Sequence, residues 1–226
     1  MMSDYIRELL NGLPITLSVT VVALIIGLAL ALLMTLILAL KLPIAHSLTK
    51  LYLTLFTGTP LLVQIFLIYY GPGQFAIIRE SALWPLFSSP WFCATLALTL
   101  NCAAYTTLLF HGALKRIPSG QWEACEALGF SQIQTLGILV PYALRRAFSA
   151  YSNEVIIVLK SSSLTSTITL LDITGYAQQL NAQTYDTLAV FGAAGILYLG
   201  MNGIIALVML KIEHRILAFE RTGSTA

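Results

Sequence analysis

Charge is what this sequence has least of. Its 226 residues hold 12 Lys and Arg and 10 Asp and Glu, where a soluble domain of that length carries about 56 charges at the usual quarter of residues. Polar surface is too scarce to coat a particle in water, which excludes a soluble enzyme, a nucleic-acid binder and a disordered scaffold. Cysteine is scarce too. Cys93, Cys102 and Cys125 are odd in number and keep no metal-ligand spacing, so neither a secreted disulfide framework nor a metal site fits. Cys93 and Cys102 fall in an apolar run and read as small buried thiols. No Gly-x-x-x-x-Gly-Lys-Ser/Thr segment occurs, so the chain lacks a loop to cradle nucleotide phosphates, and any energy from nucleotide has to arrive through a partner. There is no convergent His/Asp/Cys set, no Ser-His-Asp grouping and no pair of carboxylates on one helix, which argues against an integral membrane enzyme.

What is abundant is apolar. Hydrophobic residues make up 58% of the chain and mean hydropathy is +0.83. Runs free of Asp, Glu, Lys and Arg cover 9–40, 51–78, 81–114 and 187–210, each longer than the ~20 residues needed to cross a bilayer core. Four spans follow, near Leu13–Leu40, Leu51–Gly71, Pro90–Leu114 and Leu188–Leu210. The run from Leu9 is too long for a signal-peptide core and follows Arg7-Glu8, so the first span is expected to stay in the mature protein. Residues 127–144 lack charge but are too polar to face lipid, with Ser131, Gln132, Gln134, Thr135, Gly137 and Pro141; 144–164 has a better apolar core at Val155–Leu159 but carries Glu154 and Lys160.

The positive-inside rule arbitrates. If 144–164 spans, five helices put Lys41, Lys50, Lys115, Arg116, Arg145, Arg146, Lys211, Arg215 and Arg221 inside, against Arg7, Arg79 and Lys160 outside, nine to three. Four spans give seven to five. The expected fold is therefore an all-α polytopic membrane protein of five transmembrane helices, with its N-terminus outside, its C-terminus in the cytoplasm and the 115–146 loop inside. One membrane domain fills 1–226, with a core near 13–214. Small residues at Gly27/Ala31 and Ala189/Ala193 suit close helix approach, within the subunit or in a dimer.

The inner loop runs from Pro118 through Gln121-Trp122-Glu123-Ala124-Cys125-Glu126-Ala127-Leu128-Gly129 to Val140-Pro141. Ser119 is a candidate N-cap, Pro118 a stop for the preceding helix, Gln121 to Leu128 a short helix and Gly129 its C-cap. A helix mixing Trp122, Ala124, Ala127 and Leu128 with Glu123 and Glu126 suits a bilayer surface, a partner's groove or a solvated connection. Glu123-Ala124, Gly129 and Pro141 resemble the EAA loop of bacterial ABC-importer permeases. Cys125 replaces the family's second alanine, Val140 replaces a leucine, and the stretch from Gly129 to Pro141 is one residue short. The resemblance implies a coupling helix between helices 3 and 4, with Gln121, Glu123, Ala124, Glu126, Ala127 and Gly129 docking into a cleft of an ATPase subunit.

Further elements resemble the polar amino acid (histidine, glutamine and arginine) permeases: Thr57-Gly58-Thr59-Pro60-Leu61-Leu62-Val63-Gln64, with Thr57 in place of arginine; Ala103-Ala104-Tyr105; Gly112 to Gln121; Tyr151 to Val155; and Lys160 to Leu164. Leu108 stands where many members carry Glu. Together these cover roughly residues 10–215, and Phe56 to Pro60 with Pro72-Gly73-Gln74-Phe75 look most like the M-type permease subunits of arginine importers. That implies a multi-pass protein of the bacterial cytoplasmic membrane that does no bond chemistry and needs no cofactor of its own, ATP and Mg belonging to the partner. Expected partners are a second, related permease subunit, two ATP-binding subunits, an extracytoplasmic amino-acid-binding protein and the lipid bilayer, with no nucleic acid.

Polar groups inside the spans mark the candidate path. Gly58 and Pro60 interrupt the second span, and Pro60 cannot donate a backbone hydrogen bond. Broken backbone in a bilayer has to be buried in protein or line water, so Leu62, Val63 and Gln64 either follow a kinked helix end or face a substrate route. Glu154 costs roughly 2.5–3.5 kcal/mol in a span unless it faces a cavity or partner. It and Asn153 are candidates to hold a cationic side chain; a structural pair with another helix is the alternative. Asn101 and Tyr105, four apart, share a helix face, suiting the path or interhelical packing. Lys160, Ser161 to Ser163 and Asp172 are placed at the outer boundary, as a gate or binding-protein contact, and His46 and His111 at interfaces. A carrier working without an ATPase, with Glu154 as a proton relay, is the rival function.

Overall fold

Two signals dictate helix nearly everywhere, namely long apolar runs and prolines that stand at helix starts, Pro141 inside the helix Gln132–Ser161 being the exception. The computed structural model describes residues 2–217, and among them all regular structure is helical: α1 (Met2–Leu9), α2 (Leu13–Leu40), α3 (Pro43–Gly58), α4 (Leu61–Tyr70), α5 (Ala76–Arg79), α6 (Trp84–Phe87), α7 (Pro90–Lys115), α8 (Ser119–Ala127), α9 (Gln132–Ser161), α10 (Ile173–Thr184) and α11 (Thr187–Ile216). Pro43 and Pro90 open α3 and α7 where no backbone donor is needed. Three segments are long and apolar enough to cross a membrane, Met2–Leu40, Pro90–Lys115 and Thr187–Ile216, and two bent pairs raise the number to as many as five. Arg221, counted above among the inner charges, lies outside the described residues.

The central element is α7. Half its residues are buried, among them Ala94, Ala97, Leu98, Cys102, Ala103 and Ala104, and α2, α4 and α9 bring Val19, Ala23, Ile65 and Val158 against it. Lipid removes the hydrophobic drive between helices, so small residues and polar bridges hold the bundle. At Gly27 an added Cβ would meet Cys102 Sγ at 3.2 Å, and Trp91 Nε1 donates to Ser18 Oγ at 3.0 Å. Some buried threonine hydroxyls return to their own helix, as Thr20 does to the Thr16 carbonyl at 2.7 Å and Thr107 to Ala103 at 2.6 Å. The outward faces of α2 and α11 carry Ile25, Leu33, Leu199 and Leu207, all exposed. Cys93 and Cys102 are buried free thiols, as expected.

Four expectations need correction. The second span begins not at Leu51 but at Pro43, and the break expected at Gly58 and Pro60 is a bend of 106° between Pro43–Gly58 and Leu61–Gln74. The 115–146 loop is much shorter, because α9 starts at Gln132 and runs 30 residues, about 45 Å at 1.5 Å per residue. Its start is fixed by a capping box, Ser131 Oγ accepting from Gln134 N–H and Gln134 Oε1 accepting from Ser131 N–H at 2.8 Å; the polarity of 131–135 belongs to this cap. Pro118, not Ser119, holds the N-cap position of α8. Finally, Asp172 offers no surface for a binding-protein contact, because it is fully buried. It caps α10 by accepting from Gly175 N–H at 2.7 Å and takes the Tyr198 hydroxyl of α11 at 3.3 Å.

Asp172 sits in a second core joining α1, α10 and α11 through Leu9, Ile173, Ala177, Val190 and Ala193. Gly12 closes it from the other side. A Cβ there would lie 2.4 Å from the Asp172 carbonyl carbon and 2.5 Å from Ile173 N, so only glycine lets the two backbones meet. Thr16 Oγ1 then accepts from Ile173 N–H at 3.2 Å.

Candidate functional site

The bend between α3 and α4 follows from Pro60. Phe56 O would normally accept from the backbone N–H four residues on, but proline has none. Side chains supply the missing donors. Gln64 Nε2 donates to Phe56 O at 2.9 Å and to Thr59 O at 3.0 Å. From α7, Asn101 Nδ2 donates to Phe56 O at 3.4 Å and to Gln64 Oε1 at 3.0 Å. One turn on, the Tyr105 hydroxyl donates to Thr57 O at 3.4 Å, and Thr59 Oγ1 donates to Leu55 O at 2.7 Å. The orphaned carbonyls of α3 are thus satisfied within the protein, the condition for broken backbone at membrane depth. Gly58 has open space around its missing Cβ, so the break rests on Pro60.

These contacts bring Gln64, Asn101 and Tyr105 to one place. Gln64 is buried, Leu62 half-buried, and Val63 and Tyr105 exposed. Glu154, on α9, is only 9% exposed and lies close enough to Cys102 and Tyr151 to act on both electrostatically. Among the described residues no hydrogen bond or ion pair reaches its carboxylate. Asn153, one residue earlier and so about 100° around the helix, is exposed. Of the two residues expected to hold a cationic side chain, Glu154 is therefore withdrawn and Asn153 exposed.

The second candidate surface is α8. Trp122 and the buried Cys125, three apart, face inward, Trp122 packing against the cluster of Leu114, Ile117, Leu139 and Ala143. Glu123, Ala124, Glu126 and Ala127 point outward, Leu128 is 71% exposed, and Gln121 is half-buried. The helix ends in a Schellman motif: Gly129 N–H donates to Glu126 O at 2.9 Å and Phe130 N–H to Cys125 O at 3.0 Å, with Gly129 at φ +74°. Glycine adopts that left-handed conformation without strain. Among the described residues no group of three or more His, Cys, Asp or Glu is placed to hold a metal.

Two features went unread in the sequence. The Ser131-to-Gln134 cap carries the serine-x-x-glutamine signature of a helix start, visible without coordinates. The Gly12–Asp172 contact pairs residues 160 positions apart and has no local signal.

Residues 23–217 match the family described as the binding-protein-dependent transport system inner membrane component. The arginine ABC transporter permease protein ArtM of Escherichia coli (strain K12) is 60% identical over 221 residues, covering 97% of this chain and 99% of that protein. ArtM of Haemophilus influenzae is 55% identical, covering 98% and 97%. A solved amino acid ABC transporter with histidines aligns at a TM-score of 0.83 and 26% identity, covering 95% of this chain and 96% of that one. With its apolar helices and with relatives matched end to end, this chain belongs to the family of inner-membrane permease components of binding-protein-dependent ABC transporters.

Proposed function

We propose that this chain is the permease subunit of an ATP-driven importer whose cargo is a basic amino acid, L-arginine above all. The observation that carries the substrate is Glu154, a carboxylate largely withdrawn from solvent in α9 with no cation upon it among the described residues. A guanidinium moving along the path satisfies that charge with two parallel hydrogen bonds, a geometry lysine only approximates. Arginine is also the cargo named for the Escherichia coli and Haemophilus influenzae relatives. In this reading Leu62, Val63, Tyr105 and Asn153 line the route, while Gln64 and Asn101 hold the bend of α3 and α4 as its rigid wall.

Force arrives from elsewhere. The outward face of α8, with Glu123, Ala124, Glu126 and Ala127 between Gln121 and Gly129, docks into an ATP-binding subunit on the cytoplasmic side. The N-terminus lies outside, the C-terminus inside, and the whole chain acts as one permease domain. A second, related permease completes the path, two ATP-binding subunits supply ATP and Mg, and an extracytoplasmic binding protein delivers the amino acid. ATP closure displaces α8, and rigid shifts of the long helices alternate access. A carrier working without an ATPase is not favoured, given the family. The test is arginine uptake by Glu154→Gln in the assembled transporter. Hydrogen bonds to charged groups are worth about 1.5–3 kcal/mol, so uptake drops about tenfold or more; unchanged uptake at equal expression removes the assignment.

A further inference from the structure

A cavity of about 720 Å³ opens where α2, α7, α8 and α9 converge. Lys41, His111, Lys115, Trp122 and Phe130 are among its lining residues, and Glu126 is the acid among them. Lys50 and His46 stand close enough to act, with Lys115, on the His111 ring. Among the described residues no carboxylate pairs with Lys41, Lys50 or Lys115, and the buried Nδ1 atoms of His46 and His111 have no hydrogen-bond partner. Helix ends do not absorb this charge. The carboxyl ends of α2 and α7 meet the amino ends of α9 and of α3, which begins two residues past Lys41, and their half-charges of opposite sign offset one another.

We propose that this cavity holds the phosphate of an anionic phospholipid headgroup from the leaflet in which α8 lies, and that the bound lipid fixes α8 against the ends of α2 and α7. The lysines supply the charge, their long stems able to lie along apolar surface while the ammonium groups meet phosphate. Trp122 and Phe130 suit the headgroup level, where amphipathic rings collect. Ile44, three residues past Lys41, and Ile133, next to the lining Gln132, are 78% and 76% exposed and give acyl chains apolar surface at the margin. Because Trp122, Glu126 and Phe130 belong to α8 and its cap, the occupant touches the element assigned above to coupling. The leaflet rests on the orientation proposed in the preceding subsection.

The test uses the complete transporter in nanodiscs of phosphatidylcholine with or without phosphatidylglycerol. Acylation of each lysine is followed by peptide mass spectrometry. Phosphatidylglycerol slows modification of Lys41 and Lys115 about fivefold more than that of Lys211, whose position at the same surface gives the general effect of one basic residue there. Native mass spectrometry finds phosphatidylglycerol retained on the wild type and lost from the Lys41→Gln/Lys115→Gln variant, whose two sites are exposed. Equal protection by inorganic phosphate in phosphatidylcholine discs overturns the lipid source and assigns the site to a free anion; neither protection nor retention overturns the site itself. Modification of Lys41 and Lys115 from outside sealed right-side-out vesicles overturns the orientation, and the preceding reading with it, whether or not lipid is retained.

Discussion

The Asn101 amide donates to the Gln64 side-chain oxygen at 3.0 Å, and both amides reach Phe56 O, the carbonyl that Pro60 leaves without its helical donor. Deleting Asn101 strips the donor from Gln64 Oε1 and deleting Gln64 strips it from Thr59 O, at about 1–3 kcal/mol each. Asn101→Leu and Gln64→Leu should therefore both lower the melting temperature of the purified protein. Their double variant should lose less than the sum, with a coupling of about 0.5–3 kcal/mol. Additive losses would show that the two side chains do not act as one staple.

Glycines offer a sharper contrast. Gly12→Ala drives a Cβ to 2.4 Å from the Asp172 carbonyl carbon, backbone against backbone, and overpacking of this kind costs about 1–3 kcal/mol. Gly58→Ala enters open space and should be neutral in the same thermal unfolding assay, although both glycines sit at helix junctions. Equal stability of the two variants would contradict the close approach.

Gly129→Ala places a Cβ on a residue at φ +74°, at about 1–2 kcal/mol. The strain falls on the end of α8 and not on the core, since Leu128 and Gly129 are exposed. Arginine uptake should fall while the protein still assembles and reaches the membrane at normal level; full uptake would show that the helix end need not be fixed.

How much of this was legible in the chain depends on whether the cause was local. Charge at Lys41 and Lys115 marks the ends of α2 and α7 to within a residue, because long apolar runs cannot carry it. Pro60 marks the bend, and Gly129 the end of α8, since each forces its own backbone. The 106° angle was not legible, because it is set by Asn101 and Tyr105 reaching across from α7. The start of α9 was legible in Ser131 and Gln134, a capping-box spacing, but those polar residues were read as a loop. The burial of Asp172 was not legible either, because it requires Tyr198 and Gly175, partners supplied by the folded chain. Likewise which of Asn153 and Glu154 is buried depends on the face α9 turns to α7.

The central claim is that α8 carries force from ATP hydrolysis on another subunit to the path this chain lines. Arginine uptake and phosphate release, measured together in vesicles containing the whole transporter, test it most directly when Glu123 on the exposed face of α8 is changed to lysine. Glu123→Lys should abolish ATP-dependent uptake or sever it from phosphate release, with the protein still folded. Full, ATP-coupled uptake by that variant, or uptake by this chain reconstituted alone, would contradict the account.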